Sequence, residues 1–297
     1  MSVKKVNILS VELDEPLDEA GFRHVATSVG LRLGARRIGA GVYQAEAGLP
    51  IWPYHYHHGI EEWLYVIAGA PVLRDPSGER ILTPGDLVCF PSGHVGAHTV
   101  KGPGRFVIFA TGQHVEPYMS VYPDSDKVSG PGGILLRSSA VGYWHGEGTA
   151  GPSEPVEIVR EPESSPPQSA VNTLALRAEE ADPHAPTGFR YRAAKLGPLL
   201  GADRLDGTVV DLDPGGDPSP TTTSMGGRSG CWSWPERPPC ATRKVRIISR
   251  PAILCASRKA QPVVTGCSIA ASRSCARCSY RRRVCQPMFA TRTPATG

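Results

Sequence analysis

The chain has 297 residues, enough for two domains of ordinary size, and a formal net charge of +4. It contains no apolar run long enough to span a membrane, and its first residues lack the apolar stretch and cleavage site of a signal peptide. We therefore expect a cytoplasmic protein. The charge is unevenly spread, because residues 1–220 hold 18 basic residues against 27 acids, a net of −9, and residues 221–297 hold 14 against one, a net of +13.

Short β-type runs broken by turn residues fill the segment from Ala40 to about Phe109. Examples are the runs EEWLYVIAG, GDLVCFPSG and RFVIFAT, and no helical period crosses them. Many short strands at close spacing favour an all-β sandwich or barrel. The tetrapeptide Asp75-Pro76-Ser77-Gly78 predicts a hairpin turn, since Pro presets the turn dihedral and Gly tolerates positive φ.

A linker and an internal repeat follow this segment. Residues 150–168 are rich in Pro, Ser and Glu, a composition typical of linkers. Motifs of the first segment then recur at a constant offset of 167 residues. The matches are Gly21-Phe22-Arg23 with Gly188-Phe189-Arg190, Leu33-Gly34-Ala35 with Leu200-Gly201-Ala202, and Val42 with Val209. The second copy follows the first up to Pro220 and then departs from it.

These boundaries divide the chain into four parts. They are a first domain at residues 1–125, a connector and linker at 126–168, the start of a second copy at 169–220, and a tail at 221–297.

Three histidines and one glutamate have the spacing of a metal site. His55 and His57 lie two residues apart, so both side chains can point to one face of a strand. Glu62 would begin the next strand, and His98 follows a later strand and a Pro-x-Gly turn. Three imidazoles and a carboxylate suit Mn, Fe, Co, Ni, Cu or Zn better than Ca or Mg.

The spacings His55-x-His57-x4-Glu62-x6-Gly69 and Gly85-x5-Pro91-x-Gly93-x4-His98 resemble the two motifs of the cupin superfamily. The resemblance implies a double-stranded β-helix, or jelly-roll barrel, with one divalent transition metal held by His55, His57, Glu62 and His98. In the second motif the histidine commonly lies three residues after the glycine, whereas here four residues separate Gly93 from His98. His94 is therefore the alternative fourth ligand.

The neighbours of these residues carry weaker expectations. His58 would lie at the rim of the site, and Glu61 should face outward into solvent by strand alternation. Cys89 lies in mid-strand and should be a small buried residue. The aromatic residues near the motif would wall the cavity: Trp52, Tyr54, Tyr56, Trp63 and Tyr65.

The tail from Thr221 has a different composition, with seven of the eight cysteines and none of the nine histidines. Cys275, Cys278 and Arg281-Arg282-Arg283 would suit a zinc module or a nucleic-acid-binding arm, but the fourth zinc ligand is irregularly placed and the basic residues have no period. A single-base frameshift near the codons of Asp217–Pro220 explains more. The shifted frame permits a YHYxHGxEEWL string at the same offset of 167.

We therefore expect residues 221–297 to be out of frame and disordered, and the intended protein to resemble a bicupin with two tandem barrels. The second copy would then offer strand edges without a partner, and the cysteines of the tail would not indicate disulfides.

The resemblance implies a metal-binding protein that acts on a small organic molecule, by dioxygenase, decarboxylase or isomerase chemistry. The fold does not choose among these reactions, and no catalytic residue is assigned. A non-catalytic small-molecule binder or sensor and a non-functional frameshifted product are the alternatives. We expect no nucleic-acid or membrane partner, and a homo-oligomer is compatible with the sequence.

Overall fold

The computed structural model describes residues 5–19, 21–112, 118–149, 151–162, 165–180 and 191–212, and the backbone of residues 229–233 and 242–249. The regular secondary structure of these segments is almost entirely strand, which confirms the predicted all-β class. The two α-helices, α1 (Val29–Leu33) and α2 (Leu196–Leu200), have five residues each. Among the described residues, no helix is long and apolar enough to cross a membrane.

The strands are short and their neighbours in each sheet pair antiparallel. They are β1 (Glu15–Glu19), β2 (Phe22–Ser28), β3 (Ile38–Ala45), β4 (Tyr56–His58), β5 (Glu62–Gly69), β6 (Val72–Asp75), β7 (Gly78–Ile81), β8 (Asp86–Phe90), β9 (Thr99–Lys101), β10 (Gly104–Thr111), β11 (Met119–Tyr122), β12 (Lys127–Gly130), β13 (Gly133–Leu136), β14 (Ala170–Asn172), β15 (Glu179–Glu180), β16 (Tyr191–Lys195), β17 (Leu205–Leu212), β18 (Ser229–Ser233) and β19 (Thr242–Ser249).

Three sheets build the first barrel. A seven-stranded sheet has the order β1-β2-β3-β10-β5-β8-β14, a four-stranded sheet has the order β13-β12-β11-β4, and a three-stranded sheet has the order β7-β6-β9. An isolated antiparallel bridge between His55 and His98 joins the segments that precede β4 and β9. The strands that carry the two sequence motifs therefore meet inside one barrel.

Alternation along β5 divides the large sheet into two buried faces. Leu64 and Val66 point into the barrel and pack with Phe106, Leu73 and neighbouring apolar side chains. Trp63 and Tyr65 point to the opposite face, where a second apolar cluster covers them. Both faces are buried, so β5 reads as a continuous apolar run rather than an alternating one.

Two glycines allow close approaches that the barrel requires. Gly69 ends β5 at φ 87°, and a side chain there would clash with the backbone oxygen of Pro103. A Cβ on Gly96 would lie 1.8 Å from the backbone oxygen of Pro91, inside the turn that leads to His98. The predicted hairpin is also present, since β6 and β7 are joined by Pro76 and Ser77 with Asp75 opposite Gly78.

The internal repeat is visible in the structure at the predicted offset. Helix α1 ends at Gly34 and α2 ends at Gly201, and both glycines are left-handed, with φ of 71° and 62°. His24 pairs with Ala45 between β2 and β3, and the residues 167 positions later, Tyr191 and Leu212, pair between β16 and β17. The first part of the second copy therefore repeats the β-α-β unit of the first.

The two copies share one apolar cluster. It contains Val29 and Val42 of the first copy together with their repeat partners Leu196 and Val209. Trp63 of β5 lies in the same cluster. The outer face of the large sheet is thus covered by the second copy.

The tail differs in part from the expectation that the second copy lacks strand partners. Its backbone forms β18 and β19, and β19 pairs with β17 along its full length. In the first copy the strand that pairs with β3 is β10, which the offset of 167 would place at residues 271–278. The strand beside β17 is therefore not the counterpart of β10. Residues 254–297 lie outside the described part of the chain, and the frameshift and the four-part division stay predictions.

Candidate metal centre

The candidate ligands come from three neighbouring segments. His55 immediately precedes β4 and His57 lies within it, Glu62 is the first residue of β5, and His98 immediately precedes β9. His55 and His98 exchange backbone hydrogen bonds of 3.1 and 2.8 Å. This bridge brings the two sequence motifs together, although 43 positions separate the two histidines in the sequence.

Their side chains converge. The donor atoms of His55, Glu62 and His98 all lie within 4.8 Å of one another. Nε2 of His57 lies 3.3 Å from Oε2 of Glu62, and Nε2 of His98 lies 3.6 Å from the same oxygen. The ring centroids of His55 and His57 are 4.8 Å apart. One carboxylate oxygen thus faces imidazoles on several sides.

Hydrogen bonds at the outer ring nitrogens orient the imidazoles. Nδ1 of His55 lies 2.8 Å from the carbonyl oxygen of Pro53, and Nδ1 of His98 lies 2.9 Å from that of Gly96. A carbonyl oxygen only accepts, so in the neutral ring Nδ1 carries the proton and the Nε2 lone pair points toward Glu62. Nδ1 of His57 has the Ser120 hydroxyl at 2.8 Å.

Burial and mutual charge fix the protonation states. Burial, together with the neighbouring His98 and His57, lowers the pKa of His55 to about 3. Burial also lowers the pKa of His98. Burial alone would raise the pKa of Glu62, but the surrounding histidines, His57 first, outweigh this effect and bring it to about 2. At neutral pH the site therefore presents buried neutral imidazoles at His55 and His98 and an ionised carboxylate.

A divalent cation fits this donor set. A buried carboxylate is costly unless a positive charge accompanies it, and imidazole lone pairs directed at the same point supply neutral ligands. His55, Glu62 and His98 are 8, 6 and 4% exposed, so the site is secluded from bulk water. The stacking of Phe90 on the His98 ring, with centroids 3.7 Å apart, further restricts that imidazole.

The other histidines of the motifs are placed differently. His94 begins the 3-10 turn His94–Gly96 and is not among the described residues whose donor atoms converge. His58 is exposed at the end of β4, as expected for a rim residue. His145 is partly exposed and bonds to Ser153, and His114 lies outside the described residues.

The aromatic neighbours divide into two groups. Tyr54 and Trp52 lie on the barrel side, and the guanidinium of Arg74 stands 4.0 Å above the Tyr54 ring. Tyr122 stacks against His55 with centroids 5.9 Å apart. Trp63 and Tyr65, which we expected to wall the cavity, instead point to the opposite face of β5 because they alternate with Glu62.

The structure corrects the expectation for Glu61. Its side chain faces away from the barrel interior, as alternation predicts, but it is only 1% exposed and is not solvated. The second copy covers it, and residues 142 to 144 positions later in the chain bond to it. Cys89 is buried as expected, and burial raises the pKa of its thiol.

Residues of the connector and linker form hydrogen bonds near the site, and no sequence motif predicts these contacts. Glu161 accepts hydrogen bonds from the Tyr56 hydroxyl and from Arg137. The Gln168 amide donates to the carbonyl oxygens of Val95 and Ala97, in the turn before His98. The predicted linker therefore packs against the barrel.

Residues 43–111 match the family model described as a cupin domain. No curated protein sequence matches the chain.

Solved structures with similar folds share little sequence with the chain. A sugar phosphate isomerase of the cupin superfamily from Silicibacter pomeroyi DSS-3 is 24% identical, with 44% of this chain and 90% of that chain covered and a TM-score of 0.39. A variant of Bacillus subtilis oxalate decarboxylase is 10% identical, with coverage of 83% and 73% and a TM-score of 0.40. The polyketide cyclase of Streptomyces resistomycificus is 24% identical, with coverage of 39% and 81% and a TM-score of 0.32. The cupin match therefore applies to residues 43–111, which run from β3 to the end of β10 in the first barrel.

Proposed function

We propose that the protein is a metal-dependent cupin that binds one divalent transition metal and acts on a small organic molecule. The observations that carry the proposal are the donor atoms of His55, Glu62 and His98, which lie within 4.8 Å of one another, and Nε2 of His57, which lies 3.3 Å from Oε2 of Glu62. His55, His57, Glu62 and His98 are the proposed ligands, and the donor set suits Mn, Fe, Co, Ni, Cu or Zn.

The chain itself would prepare the site for such chemistry. Hydrogen bonds to Pro53, Gly96 and Ser120 hold the three rings in one orientation, so little reorganisation is needed when a ligand enters. When bound, the metal would polarise a substrate oxygen and stabilise negative charge that develops on it. Glu62 would serve as a ligand rather than as a general base, because its pKa lies near 2.

Metal content tests the proposal directly. We expect about one metal ion per chain in the purified wild-type protein, measured by elemental analysis, and a large loss in His57→Ala, because four donors hold the ion together. His58→Ala is the matched control, since His58 is the adjacent histidine and is exposed. Equal metal in wild type and His57→Ala would refute the ligand assignment.

Turnover separates an enzyme from a binder. Small carboxylic acids, sugars and phenols would be screened with the metal-loaded protein for product formation and O2 uptake. Conversion that is lost in His57→Ala supports catalysis. Tight binding of one of these compounds without conversion would instead assign the site to recognition.

A further inference from the structure

The carboxylate of Glu61 is buried against the second copy of the repeat. It accepts hydrogen bonds from the backbone N–H groups of Asp203, Arg204 and Leu205, at 2.8, 3.0 and 2.9 Å. The indole N–H of Trp63 donates to it as well, at 3.1 Å. Four donors therefore surround one carboxylate in a location that is 1% exposed.

The three backbone donors belong to consecutive residues, which is the arrangement of a backbone anion-binding nest. The nest follows the left-handed Gly201 that ends α2. Leu196, Leu200 and Leu205 flank it and are buried in the same cluster as Trp63. Since hydrogen bonds gain strength in apolar surroundings, these contacts hold the second copy against the start of β5.

Glu61 is also the residue before the proposed ligand Glu62, and its backbone is held as firmly as its side chain. Its N–H donates to the hydroxyl of Thr111 at 3.0 Å, and its carbonyl oxygen accepts from the Thr111 N–H at 3.0 Å. The Arg204 guanidinium reaches the carbonyl oxygen of Gly59, two residues earlier. Contacts from β10 and from the second copy thus fix the chain just before β5.

We propose that Glu61 is a positioning residue through which the second copy of the repeat tunes the metal centre. The nest at residues 203–205 binds the Glu61 carboxylate on one face of the sheet. Because Glu61 and Glu62 are adjacent, this contact fixes the orientation of the Glu62 side chain on the other face. The inference rests on the metal-binding function proposed above. It gives the incomplete second copy a role in the first barrel.

The full-length variant Glu61→Gln tests this role. The amide replaces one of the two acceptor oxygens with a donor, so part of the nest loses its acceptor. We expect Mn²⁺ to bind about tenfold more weakly in chelator competition, with stoichiometry unchanged, and the visible spectrum of the Co²⁺-substituted protein to change. Amide hydrogen exchange in β16 and β17 should accelerate. Glu157→Gln is the matched control, because Glu157 is exposed, and it should leave all three measurements at wild-type values.

A second variant changes the second copy's side of the contact with Glu61. Asp203→Pro removes one of the three N–H donors without altering the first barrel, and we expect a smaller loss of Mn²⁺ affinity in the same direction. Unchanged Mn²⁺ affinity and Co²⁺ spectrum in both variants, with faster exchange in β16 and β17, would overturn the positioning role. A wild-type chain that binds no metal would instead contradict the proposed function and, with it, this inference.

Discussion

At the scale of single residues, the proposed metal centre depends on hydrogen bonds that set the orientation of the imidazole rings. His55 and His98 direct Nδ1 to carbonyl oxygens, whereas His57 directs it to a hydroxyl. The backbone partners cannot be removed by substitution, but the hydroxyl of Ser120 can. The hydrogen bond that orients His57 can therefore be tested by substitution, unlike those that orient His55 and His98.

Ser120→Ala should weaken metal binding about tenfold while the bound ion stays at one per chain, because the ring of His57 loses the hydrogen-bond partner that orients it. Chelator competition measures the affinity, and elemental analysis measures the stoichiometry. Ser138→Ala, at an exposed serine, is the control. An affinity equal to that of the wild type would show that the hydroxyl does not orient His57.

The sequence spacing predicts the four proposed ligands, but it does not predict the residues whose hydrogen bonds hold them in place. His55, His57 and Glu62 lie within eight residues of one another, so strand geometry alone brings them to one place. Ser120 acts on His57 across 63 positions and Gln168 on Val95 across 73. Such contacts depend on the closed barrel and on where the linker returns, and no local pattern encodes either.

At the scale of elements, the turn before β9 has the tightest packing constraint near the site. Gly96 lies against Pro91, and its N–H bonds to the carbonyl oxygen of Gly93. The chain must pass through this turn to bring His98 beside Glu62. The turn therefore couples backbone packing to the position of a proposed ligand.

Gly96→Ala should destabilise the protein by about 3 kcal/mol, at the upper end of overpacking effects, because its Cβ would overlap a backbone oxygen. Gly130→Ala is the matched control, since a Cβ there meets no atom within 4 Å. Chemical denaturation of both variants measures the difference. Equal stability of the two variants would mean that the turn can shift at little cost.

Strand β5 shows what alternation can and cannot predict. Its run of buried residues gave the correct start at Glu62 and end at Gly69. The opposite facing of Trp63 and Glu62 also follows from a period of two, and applying it would have kept Trp63 out of the cavity. The burial of Glu61 does not follow from any period, because it depends on a covering element from the second copy.

At the scale of the whole molecule, the constant offset of 167 residues predicts where the elements of the second copy lie, which amino-acid composition does not. It places α2 and the pairing of β16 with β17 where the first copy places α1 and the pairing of β2 with β3. The agreement ends at β19, which is not the counterpart of β10. The repeat thus predicts the second copy up to the point where the sequences diverge.

Limited proteolysis tests the organisation of the chain. We expect a resistant fragment that retains the barrel and Leu205, because Leu205 is buried and bonds to Glu61. Residues beyond 249 should be removed, since their basic composition has no alternating apolar pattern. A resistant fragment that includes Cys275 and contains zinc would support the zinc-module interpretation instead. Sequencing the gene across the codons for residues 210–225 tests the frameshift itself.

The apolar cluster shared by the two copies has a consequence for how this protein can be handled. Val29, Val42 and Trp63 are fully buried in a cluster to which the second copy contributes Leu196 and Val209. A shortened chain that ends in the linker would expose these side chains to water as a contiguous apolar patch. Such a chain should self-associate during expression unless polar residues replace part of this patch. The second copy therefore keeps the first copy soluble by covering its apolar surface.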